Sequence, residues 1–287
     1  MTQKISMKHK NLIYDVGMHK GEDTAFYLKK GFRVIGFEAD PSLIVYCRNR
    51  FKDEIENSSL VVVEGAVVDD PQYKSIGQTV NFYRNLNDDV WGTVCERRAE
   101  HNALMGTTSV VIEVPVVNFA DCIEKYGIPY YMKIDIEGMG MACLKALRDF
   151  EHRPEYISME SDKIEFRHVE DELKLFVELG YAGFKAVQQQ GISCQEESSP
   201  SKEGRSSGAS VVEGSSGLFG RDLPGEWKTH EQVLWDYRRV FVLYRYFGDY
   251  GLLKNNVFGK VVIKIFKHLL RKPMPGWYDT HVKWSVE

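Results

Sequence analysis

The sequence predicts an α/β fold in which a mostly parallel, seven-stranded sheet is flanked by helices. Short apolar runs typical of buried strands alternate along the chain with segments whose apolar residues recur at helical spacing. The first run leads into two closely spaced glycines, Gly17 and Gly21, as expected where a strand turns sharply into a helix. With 287 residues, the chain is long enough to bury one large core.

The periodicity gives the order of the elements. Predicted strands cover residues 11–15, 33–38, 60–67, 130–135, 156–160, 181–187 and 239–246. Predicted helices cover residues 22–30, 41–51, 119–126, 141–150 and 169–179. Residues 79–83 and 109–117 predict a β-hairpin that is inserted between the third and fourth strands and borders the ligand site.

Two stretches interrupt this alternation. Residues 188–226, rich in Ser, Gly and Glu, predict a long loop of the kind that often serves as a lid. We assign one domain to residues 1–250 and a separate C-terminal segment to residues 251–287. Within that segment, residues 257–272 predict a basic amphipathic helix, and an aromatic tail follows it.

The composition argues against several classes of protein. A formal net charge of -4 gives no basic footprint for nucleic acid. The five cysteines are odd in number and lack metal-ligand spacing, so we expect reduced thiols. No apolar run reaches the length of a signal-peptide core or of a membrane span. We therefore expect a cytoplasmic protein.

The segment YDVGMHKG, from Tyr14 to Gly21, is the most informative motif. Its glycines let a ligand approach the backbone closely. Glu38 ends the second predicted strand, 23 residues after Asp15, and an acid at that spacing can reach the hydroxyl groups of a ribose. The alternative interpretation is an ordinary tight turn beside a surface acid.

The same motif distinguishes between cofactors. A dinucleotide requires the fingerprint G-x-G-x-x-G, whereas this chain has D-x-G-x-x-x-G. The carboxylate of Asp15 would repel a pyrophosphate but would favour a ligand with an ammonium or sulfonium group. S-adenosylmethionine carries both groups. The motif therefore favours S-adenosylmethionine over a nicotinamide cofactor of the kind that an oxidoreductase would use.

Four short segments follow one another along the chain, and the first of them overlaps this motif. They are IYDVG at residues 13–17, GFEADP at 36–41, EGAV at 64–67 and MKIDIEG at 132–138, and the loop SSGLFG follows at 215–220. In this order they resemble the FkbM-type S-adenosylmethionine-dependent methyltransferases, over residues 11–247. The resemblance implies a Rossmann-like class I methyltransferase fold. Family members often carry a second glutamate where this chain has Gly140.

Ligands of open parallel sheets bind at the carboxyl ends of the strands, where the strand order reverses. By this rule and the resemblance, the first strand should meet the methionine moiety, the second the ribose and the third the adenine. The expected cofactor-binding residues are Asp15, Gly17, Gly21, Glu38, Ala66 and Val67.

Asp135, Glu137 and Glu160 follow the fourth and fifth predicted strands, so we expect them around the transferred methyl group as catalytic residues. One of them could act as a general base. Alternatively, Asp135, Glu160 and Asp162 could hold one Mg²⁺ that acidifies the acceptor hydroxyl. The structural alternatives are that Asp135 caps a helix and that Glu160 pairs with Lys133 or Lys163.

The resemblance also suggests an acceptor. Many FkbM-type enzymes methylate hydroxyls of sugars, glycans or polyketides, and aromatic residues near the C-terminus could stack on a sugar ring. We therefore predict O-methylation of a sugar or glycan hydroxyl. The alternatives are O- or N-methylation of another small metabolite, and a non-catalytic cofactor-binding module. Residues 257–272 could contact an anionic membrane surface, the domain itself or a second copy in a homo-oligomer.

Overall fold

The computed structural model describes residues 3–69, 77–190, 192–208, 214–247 and 276–284, together with residues 261, 264 and 265. The basic helix predicted at residues 257–272 therefore falls, apart from those three residues, outside the described residues. The described part contains a seven-stranded sheet and a three-stranded sheet.

The main sheet has the strand order β3-β2-β1-β7-β8-β10-β9. Its strands are β1 (Lys8–Val16), β2 (Arg33–Glu38), β3 (Leu60–Glu64), β7 (Ile128–Ile134), β8 (Tyr156–Glu160), β9 (Tyr181–Gln188) and β10 (Tyr278–Trp284). Neighbouring strands pair in parallel from β3 to β8, whereas β10 is antiparallel to both β8 and β9. This arrangement confirms the predicted mostly parallel α/β sheet.

The helices within the described residues are α1 (Glu22–Lys29), α2 (Pro41–Arg50), α3 (Lys52–Glu56), α4 (Glu96–Leu104), α5 (Phe119–Tyr126), α6 (Gly140–Leu147), α7 (Phe166–Glu178) and α8 (His230–Phe247). The five predicted helices are confirmed as α1, α2, α5, α6 and α7. Local sequence explains where they begin: Asp40 caps α2 by accepting the Ser42 N–H at 2.8 Å, and Pro41 opens its first turn. No helix in this part of the chain is long and apolar enough to cross a membrane.

The strand predicted at residues 239–246 is wrong, because these residues belong to α8. The stretch is rich in Val, Phe and Tyr, which favour strands locally. Its packing instead follows a helical period: Val233, Tyr237 and Val240 are buried in turn, and α8 packs on α7 and β9. The seventh strand is β10, which comes from the segment that the sequence analysis assigned to the aromatic tail.

The inserted segment forms the second sheet, with β4 (Ala66–Val67), β5 (Thr79–Asn85) and β6 (Ser109–Val117) in the order β4-β6-β5. The antiparallel pairing of β5 and β6 confirms the predicted hairpin. Its connection is longer than a hairpin turn and contains α4. The predicted strand 60–67 is broken at Gly65, whose N–H donates to the Glu38 carbonyl at 2.8 Å before the chain leaves the main sheet.

Residue 188, the first of the long loop predicted at residues 188–226, ends β9, and the described residues that follow it contain a short 3₁₀ turn at Ile192–Cys194. The Phe219 ring stacks on Tyr131 of β7, with centroids 4.4 Å apart. The buried Lys30 ammonium pairs with Glu197 and, at 3.3 Å, with Asp222. The loop is therefore anchored to β7 and to the end of α1.

We expect Gly17→Ala to destabilise the fold much more than Gly106→Ala. Both glycines have positive φ, of +81° and +90°, so both variants carry the strain of a left-handed backbone. A Cβ at Gly17 would lie 2.0 Å from the Asp135 carbonyl oxygen, whereas nothing lies within 4 Å at Gly106. Urea unfolding followed by circular dichroism should show about 1 kcal/mol lost for Gly106→Ala and at least about 2 kcal/mol more for Gly17→Ala. Equal losses would contradict this explanation.

Candidate active site

A cleft of approximately 1740 Å³ opens at the carboxyl ends of β1, β2, β7 and β8. The strand order reverses here, because β2 and β3 lie on one side of β1 and β7 lies on the other. Such a reversal is where open α/β sheets bind their ligands. The inserted segment and α4 border the cleft, as do α8 and the start of β10.

Most of the residues predicted from the sequence line this cleft. They are Gly17, Glu38, Ala66, Val67, Asp135, Glu137 and Glu160. Asp15, Gly21 and Asp162 do not line it. Gly21 instead leaves room for the Phe51 ring, since a Cβ there would lie 2.3 Å from it.

Glu38 lies in the cleft at the end of β2, and backbone N–H groups hold its carboxylate. Oε2 accepts the His19 N–H at 2.9 Å, and Oε1 accepts those of Ala39 and Asp40 at 2.8 and 2.9 Å. Burial raises the pKa of Glu38 to about 7, against these N–H groups, which lower it. The carboxylate is therefore fixed in orientation and retains acceptor capacity towards the cleft.

Lys133 is the buried cation at the centre of the site. Its Nζ lies 3.3 Å from Asp15, 3.4 Å from Asp23 and 3.4 Å from Asp135, and it donates to the Gly17 carbonyl at 2.9 Å. Burial lowers its pKa, but the charges of the three carboxylates outweigh burial and raise the pKa well above its usual value. Lys133 therefore remains charged and joins β1, α1 and β7.

Asp15 lies behind Lys133 and is fully buried. Its Oδ2 accepts the Thr24 hydroxyl at 2.6 Å, and its Oδ1 faces Lys133. Asp15 therefore does not line the cleft itself, but it pairs with Lys133, which does.

Asp23 is the second carboxylate in this group and ties the long loop to it. The Ser216 N–H donates to both of its oxygens at 3.0 Å. Burial raises the pKa of Asp23 to about 6, while Lys133 lowers it. The sequence analysis missed Asp23, because an acid in the first turn of a helix is ordinarily explained by the helix dipole.

Four carboxylates converge on the β7–β8 side of the cleft: Asp135, Glu137, Glu160 and Asp279. Asp279 lies directly opposite Glu160 in the antiparallel pairing of β10 with β8. The sequence analysis missed Asp279 because it placed the seventh strand elsewhere.

The two carboxyls that end β8 and begin β10 are difficult to ionise. Burial, then the charges of Glu137 and Asp135, raise the pKa of Glu160 to about 8. Burial, then Asp135 and Glu160, raise the pKa of Asp279 well above its usual value. Burial also raises the pKa of Glu137, although the positive charges of Lys163 and Arg98 act to lower it. Raised carboxyl pKa values in a cleft are typical of functional sites.

The structural alternatives for Asp135 and Glu160 have different outcomes. Asp135 caps no helix, since Met139 precedes α6 and makes no side-chain cap. Lys163 does pair with Glu160, at 3.8 Å. At Gly140, where family members often carry a second glutamate, a Cβ would lie 2.6 Å from the Met159 sulfur, so a glutamate there would require the Met159 side chain to move.

The expected Mg²⁺ set of Asp135, Glu160 and Asp162 is not supported by the described residues. Asp162 does not line the cleft; it ion-pairs with Arg98 at 2.9 Å, and its other oxygen accepts the Ile164 N–H at 2.6 Å. Among the residues described, no group of three or more His, Cys, Asp or Glu side chains is placed to hold a metal ion.

Aromatic side chains form one wall of the cleft. Trp91 comes from the inserted segment, Phe241 and Tyr244 from α8, and Trp277 from the residue before β10. The Tyr244 hydroxyl donates to the Gly276 carbonyl at 2.6 Å, which holds the end of α8 to the start of β10. This wall offers flat apolar surfaces beside the carboxylates.

The sequence profile of the Methyltransferase FkbM domain matches residues 15–185, which is more than half of the chain. No curated protein sequence matches the chain significantly.

Solved methyltransferase structures show weak likeness. The FkbM methyltransferase of Methylobacillus flagellatus KT is 20% identical over 54% of this chain and 34% of that chain, with a TM-score of 0.31. This chain thus spans about a third of that protein. An O-methyltransferase from Bacillus cereus, solved in complex with SAH, is 14% identical over 62% of this chain and 67% of that chain, with a TM-score of 0.34. The precorrin-6Y C5,15-methyltransferase of Geobacter metallireducens GS-15 is 12% identical over 63% of this chain and 71% of that chain, with a TM-score of 0.33.

Glu160→Gln should stabilise the ligand-free protein at alkaline pH and not at acidic pH. The folded-state pKa of Glu160, about 8, is raised above its ordinary value of 4.5, so its stabilising contribution is present below pH 4.5 and is lost as the pH rises through 8. The glutamine cannot ionise and avoids that loss. We expect a gain of at least about 1 kcal/mol at pH 8.5 relative to pH 5.

Thermal and urea unfolding across this pH range provide the measurement. Glu56→Gln, at an exposed position on α3, is the matched control and should show no such trend. A pH-independent difference between Glu160→Gln and the wild type would contradict the raised pKa.

Proposed function

Because this chain belongs to the FkbM methyltransferase family, we propose that it transfers the methyl group of S-adenosylmethionine to a hydroxyl group of a sugar or glycan. The observation that carries the proposal is the division of the cleft. Glu38, Ala66 and Val67 lie on the β2–β3 side, and the carboxylate cluster lies on the β7–β8 side. A donor and an acceptor can therefore meet over β1 and β7.

The chemistry of the donor side fits this cofactor. Glu38 has lone pairs left for a ribose hydroxyl, and the buried Ala66 and Val67 offer an apolar surface to an adenine ring. Gly17 presents backbone without a Cβ. When bound, S-adenosylmethionine supplies a methyl group that the adjacent sulfonium charge activates.

The charges around Lys133 favour a cationic ligand. Asp15, Asp23 and Asp135 surround one ammonium group, so the carboxylates outnumber it. This excess of negative charge attracts a sulfonium. Lys133 also lines the cleft and offers a cation to a carboxylate group of a ligand.

The acceptor side supplies a base and a platform. A hydroxyl group is a poor nucleophile until it loses its proton, and a carboxylate within hydrogen-bond reach can accept that proton as the methyl group transfers. Asp135, whose side chain is 49% exposed, and the partly buried Glu160 are available for this role. Phe241, Tyr244 and Trp277 provide aromatic faces on which a sugar ring can stack.

One observation favours a second candidate, methylation of an amine. The carboxylate cluster would also bind an ammonium group and accept its proton. Radiolabelled S-adenosylmethionine with a panel of methyl glycosides, nucleotide sugars, glycolipids and small amines distinguishes the candidates. We expect label in a saccharide methyl ether, and label confined to the amines would overturn the saccharide assignment.

Glu38→Ala should weaken S-adenosylmethionine binding about 10- to 100-fold, because a hydrogen bond to a charged acceptor contributes about 1.5–3 kcal/mol. Isothermal titration calorimetry gives the affinity. The matched control is Glu64→Ala on β3, whose backbone pairs with Glu38 but whose side chain is outside the cleft lining. The substitution also removes the acceptor of three backbone N–H groups, so the thermal stability of each variant should be measured alongside its titration. Equal affinities for the two variants would remove Glu38 from the ribose role.

Asp135→Asn should lower kcat about 100-fold or more while S-adenosylmethionine still binds. The amide keeps the shape of the side chain but loses its negative charge beside Lys133 and its capacity to accept a proton. Initial rates with the best acceptor of the panel, together with calorimetry, separate the two effects. Turnover equal to that of the wild type would exclude Asp135 from the reaction.

A further inference from the structure

We infer that Asp279 and Glu160 form a carboxyl pair that accepts the proton of the acceptor and shares it between the two side chains. The inference rests on the proposed methyl transfer and extends its catalytic site to β10. Asp279 lies far outside the residues that the family profile matches, 15–185.

The first support is the strand register. Asp279 is the direct partner of Glu160 in the antiparallel pairing of β10 with β8. Side chains directly opposite one another on neighbouring strands point to the same face, with Cβ atoms about 4.5–5.5 Å apart. Both residues line the cleft, so that shared face is the cleft wall. The two carboxyl groups are therefore neighbours that face the same ligand space.

The second support is that the Asp279 carboxylate has no hydrogen bond or ion pair with any residue that the structure describes. Its residue is only 7% exposed. A deeply buried carboxyl group without a protein partner costs folding free energy, and its place at the cleft wall points to a ligand as its partner. Glu172, a buried acid on α7, differs in this respect, because it accepts the Ser161 hydroxyl at 3.2 Å.

The charges around the pair determine how it titrates. Glu137 and Asp135 face Glu160 and oppose its ionisation, whereas Lys163 and Arg98 favour it. Asp135 and Asp23 oppose the ionisation of Asp279, whereas Lys133 favours it. Because the two carboxyls also repel each other, the first proton to bind is held tightly and belongs to the pair.

The pair balances the charge of the reaction. A lone pair of the acceptor oxygen forms the new bond to the methyl carbon, and the sulfur–carbon bond breaks with its electrons remaining on sulfur. The hydroxyl proton passes to the ionised pair. The sulfur loses one positive charge and the pair loses one negative charge, so the net charge of the buried site is unchanged. A single carboxylate could accept the proton, but sharing it between two makes the acceptor a stronger base.

A binding experiment tests the pair without any acceptor. S-adenosylmethionine carries the sulfonium charge and S-adenosylhomocysteine does not, while the rest of the two molecules is alike. The sulfonium should favour the doubly ionised pair. We therefore expect the affinity ratio of the two ligands, measured by calorimetry from pH 6 to pH 9, to rise about tenfold in favour of S-adenosylmethionine, which corresponds to one pKa unit.

Asp279→Asn should move most of this rise to lower pH, because Glu160 then titrates without its charged neighbour. Glu160→Gln should do the same for Asp279, and it keeps the test available if the more deeply buried Asp279 position does not tolerate the amide. The matched control is Glu172→Gln, which neutralises a buried carboxyl whose pKa is also raised to about 8 but which lies outside the cleft lining. Glu172→Gln should keep the wild-type pH dependence.

The outcomes separate this inference from the proposed function. Failure of the wild type to bind either ligand would overturn both. Binding of both ligands with a ratio that does not change with pH, or Asp279→Asn and Glu160→Gln with the wild-type curve, would overturn the pair and leave methyl transfer intact. In the turnover assay, Asp279→Asn should also lower kcat about 100-fold and shift the acidic limb of its pH profile to lower pH. An unshifted limb counts against the pair.

Discussion

The structure of the site depends on the buried ammonium of Lys133. It lies within 3.4 Å of Asp15, Asp23 and Asp135, and it donates to the Gly17 carbonyl. These partners come from β1, α1 and the turn after β7, and Asp23 also accepts the Ser216 N–H of the long loop. Without the cation, carboxylates buried among apolar strands would repel one another, at a cost of several kcal/mol. The turn after β1, the end of β7 and the long loop thus depend on the charge of Lys133.

The carboxyl groups of Glu160 and Asp279 have the opposite character, because no buried ammonium among the described residues contacts them as Lys133 contacts Asp15. Lys163 reaches Glu160 only at 3.8 Å, and the pKa of Glu160 is raised to about 8. Such an arrangement destabilises the ligand-free fold at neutral and higher pH. The negative surroundings that raise these pKa values also favour a sulfonium ligand and a proton in transit. Stability is therefore lower where the proposed chemistry needs charge.

Much of the fold followed from the periodicity of the sequence. The five predicted helices, the first six strands and the β5–β6 pairing are present, because their apolar residues repeat with the period of the element that buries them. The error at residues 239–246 has a different origin. That run favours a strand locally, and its contacts with α7 and β9 make it a helix. Local pattern could not reveal those contacts.

The candidate site shows the same division. By itself, the sequence determined that certain residues would lie together at one edge of the sheet, since the carboxyl ends of parallel strands meet there wherever those strands lie. The residues of this group that line the cleft are Gly17, Glu38, Ala66, Val67, Asp135, Glu137 and Glu160. Only the tertiary structure decided that Asp15 pairs with the buried Lys133, that Asp162 forms an ion pair with Arg98, and that Asp279 lies opposite Glu160. Each depends on a partner distant in the chain. A charge's effect is determined by what surrounds it in space, and motif spacing does not encode that.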